Sequence, residues 1–242
     1  MEFQDQVAVV TGASSGIGKA IALSIANHGA RVCLVARRQQ ELEAIASVSQ
    51  ANPRKLLPYP ADLSQDVCLN KLISRLREDF EHIDILVHSA GAYCRGPVAQ
   101  ASVGDFDYQY RINVLAPYAL TQALLSRLRP QRGQIVFVNS SAGLTAPENL
   151  SQYAATKHAL RAFADSLRQE VNRDGIRVLS VYLGRAATPM QATVHAMENK
   201  LYEPETLMQA DDIAAVIVNA LVLPRSAEVT DIHMRQLKRP KI

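Results

Sequence analysis

Seven short runs rich in apolar and β-branched residues recur near 6–11, 31–36, 54–59, 83–88, 134–139, 176–183 and 227–233, and helical stripes fill most of the gaps between them. Strands that alternate with helices in this way predict an α/β fold, a parallel sheet with helices on both faces. The third run holds Pro58 and Pro60, which lack the N–H groups that a central strand must give to its neighbours, so it belongs at a sheet edge. The doubly wound order 3-2-1-4-5-6, here with a seventh strand beyond, puts the third strand at an edge on separate grounds. The two inferences agree.

At 242 residues the chain suits one such sheet around one core, and residues 1–242 are read as a single domain. With 48% apolar and 20% charged residues it has the material for a sizeable core and a hydrated outside. The net charge of +3 is modest, and its one local concentration, Arg235 to Lys241, reads as a solvated or interface tail ahead of a nucleic-acid arm. No apolar run is long enough to span a bilayer and the first strand follows the first residue closely, so neither membrane insertion nor a signal sequence is expected. Cys33, Cys68 and Cys94 are scattered and odd in number, without metal-ligand spacing; free thiols in a reducing compartment, the cytoplasm, and no metal site are the expectation. His88 ends a buried run with no His or Cys partner and reads as a satisfied core histidine.

Local patterns then carry the chemistry. The first run leads directly into Thr11-Gly12-Ala13-Ser14-Ser15-Gly16-Ile17-Gly18, followed by a helix with Ile17, Ile21, Ser24 and Ile25 on one stripe. Glycines permit a tight turn and a close backbone approach, while the helix start offers unpaired N–H groups, so this is a phosphate cradle. The fifth run ends in Asn139-Ser140-Ser141, which puts two hydroxyls at a strand's C-terminal end. Tyr153 and Lys157 lie one helical turn apart, a phenol beside an ammonium. An opposite charge within ~4–6 Å shifts a pKa by about 1–3 units, so Lys157 is expected to make Tyr153 easier to ionise. Pro117, without an N–H, leaves the carbonyl of Asn113 open to a water molecule; the alternative is a proline kink and nothing more.

Taken together these patterns resemble the short-chain dehydrogenase/reductase family over nearly the whole chain. Gly12, Gly16 and Gly18 have its Thr-Gly-x-x-x-Gly-x-Gly spacing, and Asp62-Leu63, Ser89-Ala90-Gly91, Asn113, Ser140, Tyr153-x-x-x-Lys157 and Gly184 to Thr188 follow in its order. The resemblance implies a Rossmann-like fold and four catalytic residues. Tyr153 would pass a proton to or from the reacting oxygen, and Lys157 would lower its pKa and hold the nicotinamide ribose. Ser140, in preference to Ser141, would steady charge on that oxygen, and Asn113 would hold a relay water. For the cofactor it implies Gly12, Ser14, Ser15, Gly16, Ile17 and Gly18 at the phosphates, and Asp62 and Leu63 at the adenine. Ser89, Ala90 and Gly91 would line its path, Gly184 and Thr188 would meet the nicotinamide, and Asn113, Tyr153 and Lys157 complete the set. Asp62 reads equally as a turn residue before a helix capped by Ser64. The chain departs from the family at His88-Ser89, where asparagines are usual, at Leu183 in place of proline, and in lacking an Asp-Gly-Gly ending.

The second strand ends in Ala36, where family members that prefer NAD carry Asp, and Arg37-Arg38 follow. A guanidinium fork matches phosphate, so NADP(H) is the expected cofactor, with Arg37 foremost; the alternative is that both arginines open a solvated helix. Residues 187–210 read either as a lid over the substrate or as an ordinary surface excursion, and the next helix opens on Asp211-Asp212. Tyr93, Arg95, Leu144, Met190, Val194 and Met197 are candidate lining for a small, partly apolar substrate, and Arg185 either meets an anionic group or is an ordinary loop arginine. The resemblance further implies a homodimer or homotetramer built on the helices bearing Asn113 and Tyr153. The expectation is an NADPH-dependent oxidoreductase that moves hydride between nicotinamide and a carbonyl or secondary alcohol. A non-catalytic dinucleotide-binding sensor or scaffold of the same fold is the alternative.

Overall fold

The computed structural model describes residues 2–48 and 55–237. In chain order the elements are β1 (Val7–Thr11), α1 (Gly16–Asn27), β2 (Arg31–Ala36), α2 (Gln39–Val48), β3 (Leu56–Pro60), α3 (Asp66–Asp79), β4 (Ile85–His88) and α4 (Val103–Tyr110). They continue with α5 (Ala116–Leu128), β5 (Gln134–Ser140), α6 (Ser151–Val171), β6 (Arg177–Leu183), α7 (Pro189–Met197), α8 (Ala210–Leu221) and β7 (Asp231–Met234). The strands form one seven-stranded sheet in the order β3-β2-β1-β4-β5-β6-β7, parallel throughout. As the prolines required, β3 is an edge strand, with Pro58 opposite Leu34 and Pro60 opposite Ala36. The expected start of that run at residue 54 lies outside the described residues.

Alternation along each strand divides the interior into two layers. Ala8, Val10, Val32 and Leu34 face α1, α2 and α8, whose Ile21, Ile25, Leu42, Ile213 and Ile217 complete one layer. Val7, Val9, Cys33 and Val35 point the other way, onto Leu72 and Leu76 of α3, Leu120 and Leu124 of α5, and Leu160 and Leu167 of α6. The inner strands are therefore apolar on both faces, as a sheet covered by helices demands, while the edge strand β7 exposes Asp231 and His233. The strands set the loop ends: every segment discussed below leaves the C-terminal edge of this sheet.

Two local expectations are corrected. The seventh run was expected over 227–233, but the strand spans Asp231–Met234. Glu228 uses its carboxylate to accept the Val178 N–H (2.8 Å) and an Asn172 amide hydrogen (2.9 Å), which holds its stretch as a loop. Nor does Ser64 cap α3: Gln65 is the N-cap, without a side-chain bond, because the Ser64 hydroxyl and N–H both donate to Asp62 Oδ1 (2.7 and 3.0 Å). Asp211 and Asp212 do stand in the first turn of α8, where the helix dipole favours carboxylates.

Candidate active site

A cleft of about 1030 Å³ runs along the C-terminal ends of the strands. It crosses the point between β1 and β4 at which the strand order reverses, the position where open α/β sheets receive ligands. Of the sequence-derived site residues, Gly12, Ser14, Ser15, Gly16, Ile17, Gly18, Arg37, Arg38, Asp62, Leu63, Ser89, Ala90, Gly91, Ser140, Tyr153, Lys157, Gly184 and Thr188 all line it. Asn113 does not: it is fully buried beneath the cleft.

The glycine turn is fitted to its neighbours. Gly12 has φ +69°, and a Cβ there would lie 2.8 Å from the Ala90 backbone; a Cβ on Gly18 would strike the Gly12 carbonyl. Thr11, buried at the end of β1, ties the turn to the segment after β4 by accepting the N–H groups of Ser89 and Ala90 at 3.1 Å each. Its hydroxyl donates to the Val87 carbonyl at 3.3 Å. No role for Thr11 beyond its place in the motif was legible in the sequence, because its partners lie more than seventy residues away. Beyond the turn, α1 begins at Gly16 and aims its free N–H groups at the cleft.

On the opposite wall, α6 and the end of β5 bring three side chains together. Tyr153 is half-buried and Lys157 is buried, and the Lys157 ammonium lies 5.8 Å from the centre of the Tyr153 ring while donating to the Val138 carbonyl at 3.3 Å. Burial disfavours charge on both. It pushes the Tyr153 phenol up to about 12, with hydrogen bonding to Ser140 pulling it down and Tyr93 adding to the rise, and it pushes Lys157 down to about 8. The expected downward pull of Lys157 on the phenol is thus not what sets its proton affinity here: desolvation dominates. Ser140 accepts the Ala142 N–H at 3.1 Å, which leaves its own hydroxyl hydrogen free to donate, whereas Ser141 is exposed. Asn139, a buried residue whose side chain the sequence left unassigned, accepts the Ser140 N–H (2.8 Å) and donates to the Lys157 carbonyl (3.1 Å), locking β5 to α6.

Asn113 sits in a π-helical segment, Arg111–Leu115, where the Ala116 N–H reaches back to the Arg111 carbonyl. A widened turn, rather than a plain proline kink, precedes Pro117. The Asn113 side chain is fully committed: Oδ1 accepts the Ala92 N–H (2.8 Å), and Nδ2 donates to the Ala92 carbonyl (2.9 Å) and to Thr156 Oγ1 (3.0 Å). His88 is indeed a core residue, stacked on Phe137 with ring centres 5.0 Å apart and bonded to Thr121 Oγ1 at 2.9 Å. It is not fully satisfied, because Nδ1 has no partner among the described residues, and burial pushes its pKa down to about 3, so it stays neutral.

At the end of the cleft near β2, the two arginines differ. Arg38 is paired with Glu41 on α2, while Arg37 is exposed at the rim and donates only weakly to the Tyr108 hydroxyl (3.4 Å). At the other end lie Tyr93, Arg95, Leu144, Met190, Val194 and the uncounted Glu198; Met197 is not among the lining residues and is 53% exposed. Residues 187–210 hold α7 and a turn at Pro204–Thr206, and the excursion is pinned at its base by the Ala187 N–H donating to the Met208 carbonyl (2.8 Å). Thr188 caps α7 by accepting the Gln191 N–H (3.1 Å). Beyond β7, Arg235 and Gln236 border the cleft, and the rest of the basic tail, 238–241, lies outside the described residues.

Strand order and a glycine turn at the switch point define an α/β protein of the Rossmann-like, dinucleotide-binding class. A family model described as short chain dehydrogenase matches residues 6–199. The chain belongs to that family and is an oxidoreductase of its type. It is 34% identical over 234 residues to an uncharacterized oxidoreductase of Staphylococcus epidermidis, covering 96% of this chain and 97% of the other. Among solved structures it resembles an alcohol dehydrogenase of the archaeon Thermococcus sibiricus complexed with 5-hydroxy-NADP (TM-score 0.86, 26% identity, 99% and 100% of the two chains). It also resembles a short chain dehydrogenase of Burkholderia cenocepacia in complex with NADP (TM-score 0.84, 30% identity, 97% and 98%). No helix among the described residues is long and apolar enough to cross a membrane.

Proposed function

We propose that the protein is an NADP(H)-dependent oxidoreductase that interconverts a carbonyl and a secondary alcohol, with reduction as its favoured direction. The observation that carries this reading is that Tyr153, Ser140 and Lys157 open onto the same cleft as the glycine turn and Arg37. The residues fit the cofactor: a glycine turn packed so closely that a Cβ at Gly12 or Gly18 would strike neighbouring backbone, a helix start for the pyrophosphate, and Arg37, with no salt bridge among the described residues, where a 2′-phosphate belongs. The solved relatives bound to NADP or its 5-hydroxy derivative support the same choice. Bound there, the nicotinamide supplies or accepts the hydride.

The chain's own part is the proton and the charge. A phenol pushed up to about 12 is protonated at neutral pH and is therefore the acid form, ready to give its proton to an oxygen that gains charge. The free hydroxyl hydrogen of Ser140 donates to that same oxygen. Lys157, still largely charged at neutral pH, holds the ribose hydroxyls and stabilises the phenolate left behind. Residues 187–210 cover the reacting end and limit the access of water.

The test is NADPH consumption against a panel of ketones, aldehydes and quinones, with Tyr153→Phe as the control. Turnover is expected in the parent and roughly a thousandfold less in the variant, the scale of a lost general acid, with NADPH affinity changed by less than about twofold, since the ring remains. Turnover retained in Tyr153→Phe removes the proton-transfer assignment. Silence of the parent toward the whole panel, with tight NADPH binding, makes it a dinucleotide sensor instead.

A further inference from the structure

The end of the cleft beyond Tyr153 holds a charge cluster that the proton chemistry does not use. Glu198, directly after α7, is deeply set, with its side chain 11% exposed, and it faces three cations. Arg185, on the loop after β6, donates to both of its carboxylate oxygens (2.8 and 2.7 Å). Lys200 lies 3.3 Å away and is 60% exposed, approaching from outside. Arg95, on the loop after β4, comes within 2.8 Å of Glu198 Oε1, yet that nitrogen is buried and makes no aligned hydrogen bond. The carboxylate thus pairs with both arginines, Arg95 through that buried nitrogen, and the other nitrogens of the Arg95 guanidinium form no ion pair or hydrogen bond among the described residues.

Two arginines against one carboxylate leave an excess of positive charge on the partly apolar cleft wall, with Lys200 outside it, and charge set back from water is less screened there. Glu148, another carboxylate on the cleft wall, is exposed and forms no ion pair with these cations among the described residues. The cluster also has a fixed place relative to Tyr153. Tyr93 packs edge-on against the Tyr153 ring, centres 4.9 Å apart, and the charges of Arg95, Glu198 and Arg185 all bear on the Tyr93 hydroxyl. Tyr93 thus packs on Tyr153 and lies within electrostatic reach of Arg95 and Arg185, at a cleft end that Leu144, Met190 and Val194 also line.

We propose that the substrate is a carbonyl compound bearing a carboxylate, held on Arg95 with the Arg185–Glu198 pair as its frame, and separated from the reacting carbon by an apolar spacer of about one ring's length. A guanidinium fork is the group suited to that task, since two parallel N–H bonds orient a carboxylate as well as attract it. This rests on the reductase reading above and adds the class of substrate to it. Glu198 acts against the anion by charge and for it by geometry, because its bonds to Arg185 fix the end of α7 over the site.

The experiment compares para-acetylbenzoate and 6-oxoheptanoate, whose four methylenes span about a ring's length, with their methyl esters, which match them in shape and lack the charge. The parent is expected to reduce each acid with kcat/KM at least about tenfold above its ester, the scale of one charge-assisted hydrogen bond pair. Arg95→Met is expected to erase that ratio, and Glu198→Gln to raise it by removing the competing charge. A second readout needs no turnover: para-toluate, titrated calorimetrically into the NADPH complex, should bind the parent at least about tenfold more tightly than Arg95→Met. Equal use of acids and esters by the parent, with para-toluate bound no better than its methyl ester, overturns the assignment. Silence toward acids and esters alike, with para-toluate still bound through Arg95, would instead sink the reductase reading and keep the anion site.

Discussion

Tyr153 and Lys157 receive opposite consequences from one cause. Burial holds the proton on the phenol and loosens it from the ammonium, so the pair works as a protonated acid beside a cation that is only weakly retained. The spacing of the two residues was legible in the sequence; the direction of the phenol's shift was not, because it comes first from burial and then from Ser140 and Tyr93, which reach α6 from the end of β5 and from the loop after β4 only in the fold. A pH dependence follows, and its sign is fixed by Lys157. If the charged ammonium stabilises the developing phenolate, kcat/KM for carbonyl reduction should be flat below neutrality and fall as pH rises through about 8, where Lys157 loses its proton. The phenol, at about 12, contributes nothing in that window. A steady-state profile from pH 6 to 10 checks this; a rate that holds level to the top of the range means that the lysine charge is not used.

Among the elements, most strands and helices could be read directly, since the inner strands are apolar on both faces and most helices on one stripe, and the prolines of β3 fixed the edge. The π segment between α4 and α5 could not, because a period of 3.6 and a local widening differ by one residue and leave no mark in the pattern. Pro117 was the only hint, and it directed attention to the Asn113 carbonyl while the side chain does the structural work. That side chain fastens the loop after β4 to α6 through Ala92 and Thr156, and so sets the distance between the glycine turn's neighbours and Tyr153. Asn113→Ala should leave a buried N–H, a buried carbonyl and the Thr156 hydroxyl without their partner, costing roughly 3 kcal/mol. Urea unfolding followed by circular dichroism reads this as a lowered midpoint at unchanged slope. A loss under about 0.5 kcal/mol would mean that the network is replaced by water and that the segment is not a brace.

On the scale of the whole molecule, the cleft is a trough along the sheet's C-terminal edge with cationic side chains at both ends, Arg37 and Arg38 by β2 and Arg95 and Arg185 beyond Tyr153. The first pair could be found together in the sequence because adjacent residues at a strand end declare themselves; of the second, Arg95 was legible as lining and Arg185 as either meeting an anionic group or an ordinary loop arginine, but their meeting at Glu198 was not, since the three come from separate segments that only the sheet sets side by side. The trough's polarity gives the two ends separate tasks, and the β2 end can be tested without knowing the substrate. Arg38 is already paired with Glu41, so Arg37, with no salt bridge among the described residues, is the donor left at the rim. Replacing Ala36 and Arg37 together by Asp removes the fork and places carboxylates where they repel a 2′-phosphate and accept ribose hydroxyls. The ratio of NADH to NADPH dissociation constants, read by fluorescence titration, should fall at least about tenfold, mainly through weakened NADPH binding. A parent that binds the two dinucleotides equally would remove Arg37 from the phosphate and leave it as the opening residue of a solvated helix.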